Sequence, residues 1–502
     1  MKKNTKSMRL EKLLLISWYV TVASAPFGSC LLRIPLPVGG HFFLFRGAIL
    51  FTSFLYLLVL FCRRENPFLE LSKIERCFLL TAGCMLGYGL VSAAWAISLS
   101  IWFSKFFTMC QMFALVVLFL KLCRDPKVMR ITLLLTGLTT LFCAVGGLIE
   151  CFHGPFFDTP YRDASYLFFN KPLYMPIFTF YNPNGMAVYL LFTLETLYLY
   201  MAFSWEQTGP TRNKRILYIL SAGMMLTLFL CCADGGRLAV LSIPILFCGL
   251  AGWLFMRHKK GLLVFVEFAL CFSFIFIGEN FDPNAGKQLI IDPGNTDGAI
   301  IDTDKTGEAT INADKGFNGT LATAVSTVTG TTENESIKES DGLRVALLKN
   351  STEMLLQSKG LGIGLGNAEP RMKGYTNTCG LTNIHCYIME VLLEFGVFAL
   401  VPLLILVFMI LRALFKEMYM SIKAHRQEPL SNCLLLFFTI LTYPLLSTAN
   451  SSSWGIVAMW VYTALVLLYS GRVEGLYDKN STDKNEPSNS GRPSPNHMRQ
   501  GR

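Results

Sequence analysis

The chain has 502 residues, of which 52% are hydrophobic and only 16% are charged, and its formal net charge is +10. Its apolar residues form uninterrupted blocks of about 20, the length of a helix that crosses a ~30 Å hydrocarbon core. Such blocks exclude a soluble globular protein and the short alternating strands of a β-barrel. The composition therefore predicts an all-α polytopic membrane protein.

About twelve transmembrane helices are predicted. Nine of them fall in a membrane bundle at 1–277, and three fall in a second part of the bundle at 397–470. The apolar part of the first is too long for a cleavable signal peptide. The predicted spans are 12–32, 43–62, 77–96, 103–120, 131–150, 183–203, 216–232, 238–256, 262–277, 397–415, 431–447 and 454–470.

Basic residues are concentrated in alternate loops, and this pattern predicts the orientation. If both termini are cytoplasmic, all of these loops lie on the cytoplasmic side, as the positive-inside rule requires. The other connections are then extracytoplasmic, including a large loop at 278–396. The basic residues in question are Lys2, Lys3, Lys6, Arg63, Arg64, Lys73, Arg76, Lys121, Arg124, Lys127, Arg130, Arg212, Lys214, Arg215, Arg257, Lys259, Lys260, Arg412, Lys416, Lys423 and Arg426.

Two features of the first half lie on the predicted outer side. Lys105, near the outer end of the fourth span, is either a second contact to a phosphate or an interfacial anchor. The loop at 151–182 is rich in aromatic residues and prolines, a composition that suits a structured lid at the headgroup level. At its end Asn182 precedes Pro183, where it either caps the sixth helix or contacts a ligand.

Arg237 is the clearest cation on the outer side. It follows two glycines in CADGGRLAV, where one predicted span ends and the next begins. Glycines allow a ligand to come close to the backbone, and a helix N-terminus adds partial positive charge. Arg237 is therefore a candidate anion-binding residue, and the alternative is an arginine that anchors its helix at the interface.

The large loop begins with a polar insertion at 280–342, which has too few large apolar residues for a core of its own. Residues 278–343 hold 12 acidic residues and 4 lysines, a net charge of −8, so the rest of the chain carries +18. Membrane topology thus explains the basic excess, and no nucleic-acid partner is indicated. Asp302 and Asp304 have a spacing that can hold a divalent ion, but they are interpreted as solvated charge.

The second part of the loop, at 343–396, is predicted to be helical. Apolar residues in 343–357 have helical spacing, which predicts an amphipathic helix outside the membrane. Arg344 opens this helix, where it either belongs to the site or is an exposed arginine paired with a neighbouring acidic residue.

A glycine-rich run, GLGIGLGN at 360–367, ends that helix. It lacks the Lys-Ser/Thr of a nucleotide-binding loop, and no strand precedes it. Gly362 and Gly364 are therefore interpreted as a tight reversal that brings the backbone close to the site.

His385 lies where the large loop re-enters the membrane. Histidine exchanges protons near neutral pH, so His385 is a candidate general base, and the alternative is a residue that caps the next helix. Cys379 and Cys386 flank it and pair if the compartment is oxidising, which spacing alone does not decide. The tail at 471–502 is rich in Ser, Asn, Pro and Arg and is predicted to be disordered and cytoplasmic.

Four motifs in order resemble the bacterial O-antigen ligase family, which includes O-antigen polymerases and teichuronic acid polymerisation proteins. They are NPNGMA at a helix start, GGRLAV at a later helix start, LRVALLKNSTEMLLQSKGLGIGLGN, and HCYIMEVLLEFGVFALV. The resemblance covers residues 180–415 by motif and the whole chain by topology. The family usually has His-Asn where this chain has His385-Cys386.

The resemblance implies a glycosyltransferase of the bacterial cytoplasmic membrane that builds cell-surface polysaccharide such as lipopolysaccharide. Its donor would be a glycan linked to undecaprenyl diphosphate, its acceptor a glycan or lipid-glycan, and it would need no cofactor or metal. Arg237 and Arg344 would bind the diphosphate and His385 would activate the acceptor, with Lys105, Gly362, Gly364 and Asn182 in secondary roles.

Two other classes share parts of this pattern. A transporter or flippase of lipid-linked oligosaccharide would need polar residues at mid-membrane depth. The predicted span centres are nearly uncharged, with Glu195 as the main exception. A non-catalytic scaffold would leave His385 dispensable. The choice between ligase and polymerase stays open, because both use the same donor.

Overall fold

The structure is a computed structural model of the chain. It describes residues 5–30, 34–35, 41–64, 71–157, 165–168, 171–174, 176–180, 183–204, 237–258, 338–378, 380–384, 386–449 and 454–483.

The described part contains thirteen α-helices. They are α1 (Thr5–Ser24), α2 (Leu44–Arg63), α3 (Lys73–Val91), α4 (Leu99–Leu122), α5 (Pro126–His153), α6 (Pro183–Ser204), α7 (Arg237–His258), α8 (Lys338–Gln357), α9 (Ala368–Met372), α10 (Tyr387–Phe395), α11 (Val397–Lys423), α12 (Gln427–Ala449) and α13 (Val457–Asp483). Two small antiparallel ribbons accompany them, β1 (Ile34–Pro35) with β2 (His41–Phe42) and β3 (Ser165–Phe168) with β4 (Lys171–Tyr174).

Seven of the described helices are long and apolar enough to cross a membrane. They lie within α2, α3, α4, α5, α6, α11 and α12. The predicted all-α, multi-pass architecture is thereby confirmed. Of the twelve predicted spans, ten coincide with described helices, while 216–232 and 262–277 lie outside the described residues.

Helix ends differ from the prediction at both ends of the chain. The first helix stops at Ser24, where Ala25–Cys30 continues as a 3-10 turn that includes Pro26. The last helix runs to Asp483, so the prediction of a disordered tail is wrong for residues 471–483. A tertiary contact accompanies the start of this extension, where the backbone N–H of Ile74 donates to the Glu474 carboxylate at 3.4 Å.

The centre of the bundle is formed by α6 and α13. Nearly every side chain of α6 between Gly185 and Phe203 is buried, and α13 packs against α3, α4, α6 and α11. Aromatic rings fill this core; for example, Phe203 stacks on Tyr469 with centroids 4.1 Å apart. Large aromatic side chains bury much apolar area each, which makes the centre a packed interior.

A separate helical unit, residues 338–396, caps one end of the bundle. We call it the cap; it contains α8, α9, α10 and the glycine run at 360–367. Its small core is formed by Leu347, Met354, Ile363, Ala368, Met372, Ile384 and Leu393.

The predicted amphipathic helix at 343–357 is confirmed as α8, which begins earlier, at Lys338. Its buried face follows 3.6-residue spacing through Leu347, Ser351 and Met354. Val345 and Leu356, which also belonged to the apolar pattern, lie exposed on the other side. Apolar spacing therefore predicts the helix better than it predicts the buried face.

Candidate functional site

The structure describes some of the predicted site residues, and the others lie outside the described residues. Arg344, Gly362 and Gly364 belong to the cap, and Lys105 lies on α4 beneath it. Arg237 is the first residue of α7, as expected for a helix N-terminus, but its side chain lies outside the described residues. His385 also lies outside them, between Ile384 and Cys386, as does Asn182, which precedes α6.

The glycine run is a series of left-handed turns. Gly360, Gly362, Gly364 and Gly366 have φ angles of 75°, 86°, 94° and 77°. Side chains with a Cβ rarely adopt such angles, which explains why every second residue is glycine. The predicted tight reversal is confirmed.

The close approach that these glycines allow is to the protein itself. A Cβ at Gly362 would lie 2.7 Å from the backbone nitrogen of Gly396 and 2.8 Å from the carbonyl oxygen of Glu394. The N–H groups of Ile363 and Gly364 donate to the carbonyls of Leu393 and Glu394 at 2.9 and 3.0 Å. The run therefore satisfies carbonyl groups at the C-terminal end of α10, which have no partner within the helix.

The other side of the run contacts the bundle between α3 and α4. Trp95 Nε1 donates to the Ile363 carbonyl at 3.1 Å, and Ser92 Oγ accepts from the Leu365 N–H at 3.1 Å. The buried Asn367 amide accepts from the Ile97 N–H at 2.8 Å and donates to the carbonyl of Ile363 at 2.8 Å. These bonds join the cap to the bundle across more than 260 residues of sequence.

We expect Gly362→Val to destabilise the cap strongly. Valine would combine an unfavourable positive φ with overlap against the backbone of Gly396, which cannot move aside as a side chain can. The thermal unfolding temperature of the detergent-solubilised protein should be clearly lower than that of the wild type. The activity of the protein should be lower as well.

Gly380→Val is the matched control. Gly380 has a φ of +80°, close to that of Gly362, but nothing lies within 4 Å of the added Cβ. Its effect should be limited to the backbone strain of about 1–2 kcal/mol. Equal losses in the two variants would show that contact with the end of α10 does not matter.

Beneath the run lies a buried ionic cluster that the sequence reading missed. Lys105 Nζ on α4 is 2.9 Å from Glu390 Oε1 and 2.9 Å from Glu394 Oε1, both on α10. Glu369 Oε1 on α9 lies 4.0 Å from the same ammonium. The interpretation of Lys105 as an interfacial anchor is therefore wrong, because its side chain is only 16% exposed and bonds two carboxylates. Its role as a phosphate contact stays untested.

Glu394 ties the cluster to the glycine run. Its Oε1 also accepts from the Gly366 N–H at 3.0 Å, and its side chain is completely buried. Burial raises the pKa of this carboxyl to about 7, although the Lys105 ammonium opposes the change. The sequence did contain a signal for the cluster: two glutamates at i and i+4 in the apolar helix YIMEVLLEF.

Arg344 and the neighbours of His385 lie on elements of the cap. Arg344 precedes Leu347 by about one turn of α8. Leu347 packs in the cluster that includes Ile384, and Cys386 packs against that cluster. The structure thus brings the arginine-led helix and the histidine-bearing segment into one small unit.

Cys386 begins α10 as its N-cap residue. Burial raises the pKa of its thiol, which keeps it neutral rather than reactive. Its predicted pairing with Cys379 stays untested, because Cys379 lies outside the described residues. The same holds for Asp302 and Asp304.

The aromatic loop at 151–182 is described in part. The buried Glu150 carboxylate, at the end of α5, accepts from the backbone N–H groups of Phe156 and Ile177 at 3.0 and 3.1 Å, and from that of Phe178. A carboxylate that receives several backbone N–H groups fixes the path of a loop. The loop is therefore structured where it leaves α5, and its role as a lid stays a prediction.

Comparison with known proteins finds one family. Residues 222–404 match the family model described as O-antigen ligase. No curated protein matches the chain. The matched segment contains α7, α8, α9, α10 and the start of α11, and hence the whole cap.

Proposed function

We propose that this chain, whose residues 222–404 match the O-antigen ligase family model, transfers or polymerises glycan from an undecaprenyl diphosphate-linked donor. The acceptor is a glycan or a lipid-glycan. The reaction takes place on the outer side of the bacterial cytoplasmic membrane and needs no metal.

The proposed chemistry is a direct displacement at the anomeric carbon. The acceptor hydroxyl oxygen forms the new glycosidic bond, while the bond between the anomeric carbon and the diphosphate oxygen breaks. His385 accepts the proton of the hydroxyl. Arg237 and Arg344 stabilise the negative charge that develops on the leaving diphosphate, since guanidinium groups bind phosphate oxygens in a bidentate manner.

The observation that carries the proposal is the family match, together with the fact that the matched segment includes the three proposed site residues. Arg237, Arg344 and His385 all lie inside the matched residues. Arg344 and both sequence neighbours of His385 belong to one packed unit. The start of α7 at Arg237 adds the partial positive charge of a helix N-terminus.

The alternative function is a transporter or flippase for the same lipid-linked glycan. Glu195 is the polar residue that favours it, because this buried side chain lies within α6 and accepts a hydrogen bond from Thr442 of α12. However, α6 is buried along nearly its whole length among large apolar side chains. Such packing favours a structural helix over a translocation path.

The functional test uses purified protein in detergent, with undecaprenyl diphosphate oligosaccharide and candidate acceptors in the presence of EDTA. We expect a larger glycan, with one undecaprenyl diphosphate released for each glycosidic bond formed. A transporter would give no new glycosidic bond in detergent, and an EDTA-sensitive reaction would overturn the metal-independent mechanism.

The proposed orientation gives a second prediction. Single cysteines placed at 300–330 in a cysteine-free background should react with a membrane-impermeant maleimide in intact cells, because this region is extracytoplasmic. Cysteines at 65–70 and 485–500 should react only after permeabilisation. Labelling of 300–330 only in permeabilised cells would overturn the orientation.

A further inference from the structure

The Lys105 cluster has features that stability alone does not explain. One ammonium serves two carboxylates, Glu390 and Glu394, and a third, Glu369, lies near it. Within the described residues Glu394 Oε2 has no hydrogen-bond partner. Buried ion pairs of this kind are often no more stabilising than apolar side chains of the same volume, because desolvation costs as much as the attraction returns.

The cluster constrains the orientation of α10. Glu390 and Glu394 are one turn apart on the same face of α10, and both bond a single nitrogen atom. Two bonds from one point determine the rotation and the axial position of a helix, whereas apolar contacts tolerate small rotations. Since α10 has only nine residues, this constraint reaches both of its ends.

Both ends of α10 adjoin predicted site residues. The N-terminal end is capped by Cys386, immediately after His385. At the C-terminal end, Glu394 also holds the glycine run through the Gly366 N–H, and Gly396 joins α10 to α11. A small rotation of α10 would therefore displace the residue before its N-cap and the reversal beside its C-terminus together.

We propose that Lys105, Glu390 and Glu394 are positioning residues, which lock α10 in one orientation and so hold in place the segment of chain that carries His385. This inference rests on the proposed function. Lys105 acts on the reaction only through α10 and does not touch the donor.

The test is a neutral variant, Lys105→Met with Glu390→Gln and Glu394→Gln. It removes the ionic lock without leaving an unpaired buried charge, so folding should be kept. We expect kcat for glycan transfer to fall roughly 10- to 100-fold with the donor KM unchanged, because a misplaced catalytic group costs rate rather than binding. The single variant Lys105→Arg keeps a cation beside both carboxylates, so its kcat should be higher than that of the triple variant.

The control removes a second ion pair, at the other end of the bundle, in which the carboxylate is buried and the arginine is 30% exposed. Arg124 donates to Glu75 Oε2 at 2.7 Å, where Glu75 also completes a capping box with Ser72. Arg124→Met with Glu75→Gln should leave kcat at the wild-type value. A wild-type kcat in the Lys105 variant, or an equal loss in the Arg124 variant, would overturn the proposal.

A readout that does not need activity separates this proposal from the proposed function. Backbone hydrogen exchange of the full-length protein should increase in residues 386–396 of the Lys105 variant and not in the Arg124 variant. Failure of the wild-type protein to transfer glycan would refute the function while the exchange data still decide whether the lock exists. Unchanged exchange in the Lys105 variant would show that it does not.

Discussion

Replacing His385 by alanine should lower kcat for glycan transfer by roughly 10²–10⁴-fold, which is the range that general-base catalysis contributes. Donor binding should be largely kept, because the proposed role of the imidazole is toward the acceptor hydroxyl. The measurement is steady-state kinetics with the undecaprenyl diphosphate donor varied. In the wild type, the rate should also fall as the solution becomes acidic, since a protonated imidazole cannot accept the proton.

A second histidine gives the control for this result. His425 is exposed in the turn between α11 and α12, at the opposite end of the bundle from the cap. His425→Ala should have wild-type kinetics and the same dependence on pH. A His385→Ala enzyme with wild-type rate would show that His385 has no catalytic role and would require a different base.

Replacing Arg344 by alanine should lower kcat/KM for the donor by roughly 10²–10³-fold, the usual loss when one group that stabilises developing charge is removed. Arg237→Ala should have a similar effect. Lysine at either position should rescue poorly, because an ammonium cannot reproduce the planar fork of a guanidinium on diphosphate oxygens. Donor-titration kinetics and membrane protein levels, measured together, separate this loss from poor expression.

The matched control for Arg344 lies in the same cap. Arg371 is an exposed arginine of α9, and its replacement by alanine removes the same charge from the same unit. Arg371→Ala should keep wild-type kcat/KM. If both arginine variants lose activity equally, the cap attracts the donor by its overall charge, and Arg344 has no specific contact.

Much of this protein is determined locally and is therefore readable in the sequence. A block of about 20 apolar residues can satisfy its backbone in a membrane only as a helix, so the sequence predicts the seven described helices that are long and apolar enough to span. Alternating glycines require left-handed backbone, so the reversal at 360–367 was found as well. The order of the four motifs predicts the same family whose model matches residues 222–404.

Only the tertiary structure decided which distant groups meet. Lys105 lies 285 residues before Glu390, so no spacing rule could pair them, and the sequence leaves the ammonium as either a phosphate contact or an interfacial anchor. The tail gives a second case, since Glu474, at the start of the segment predicted to be disordered, meets the backbone of Ile74 in α3, and the last helix runs to Asp483. Buried charges and polar helix ends depend on partners that folding brings together, and a local pattern carries no information about those partners.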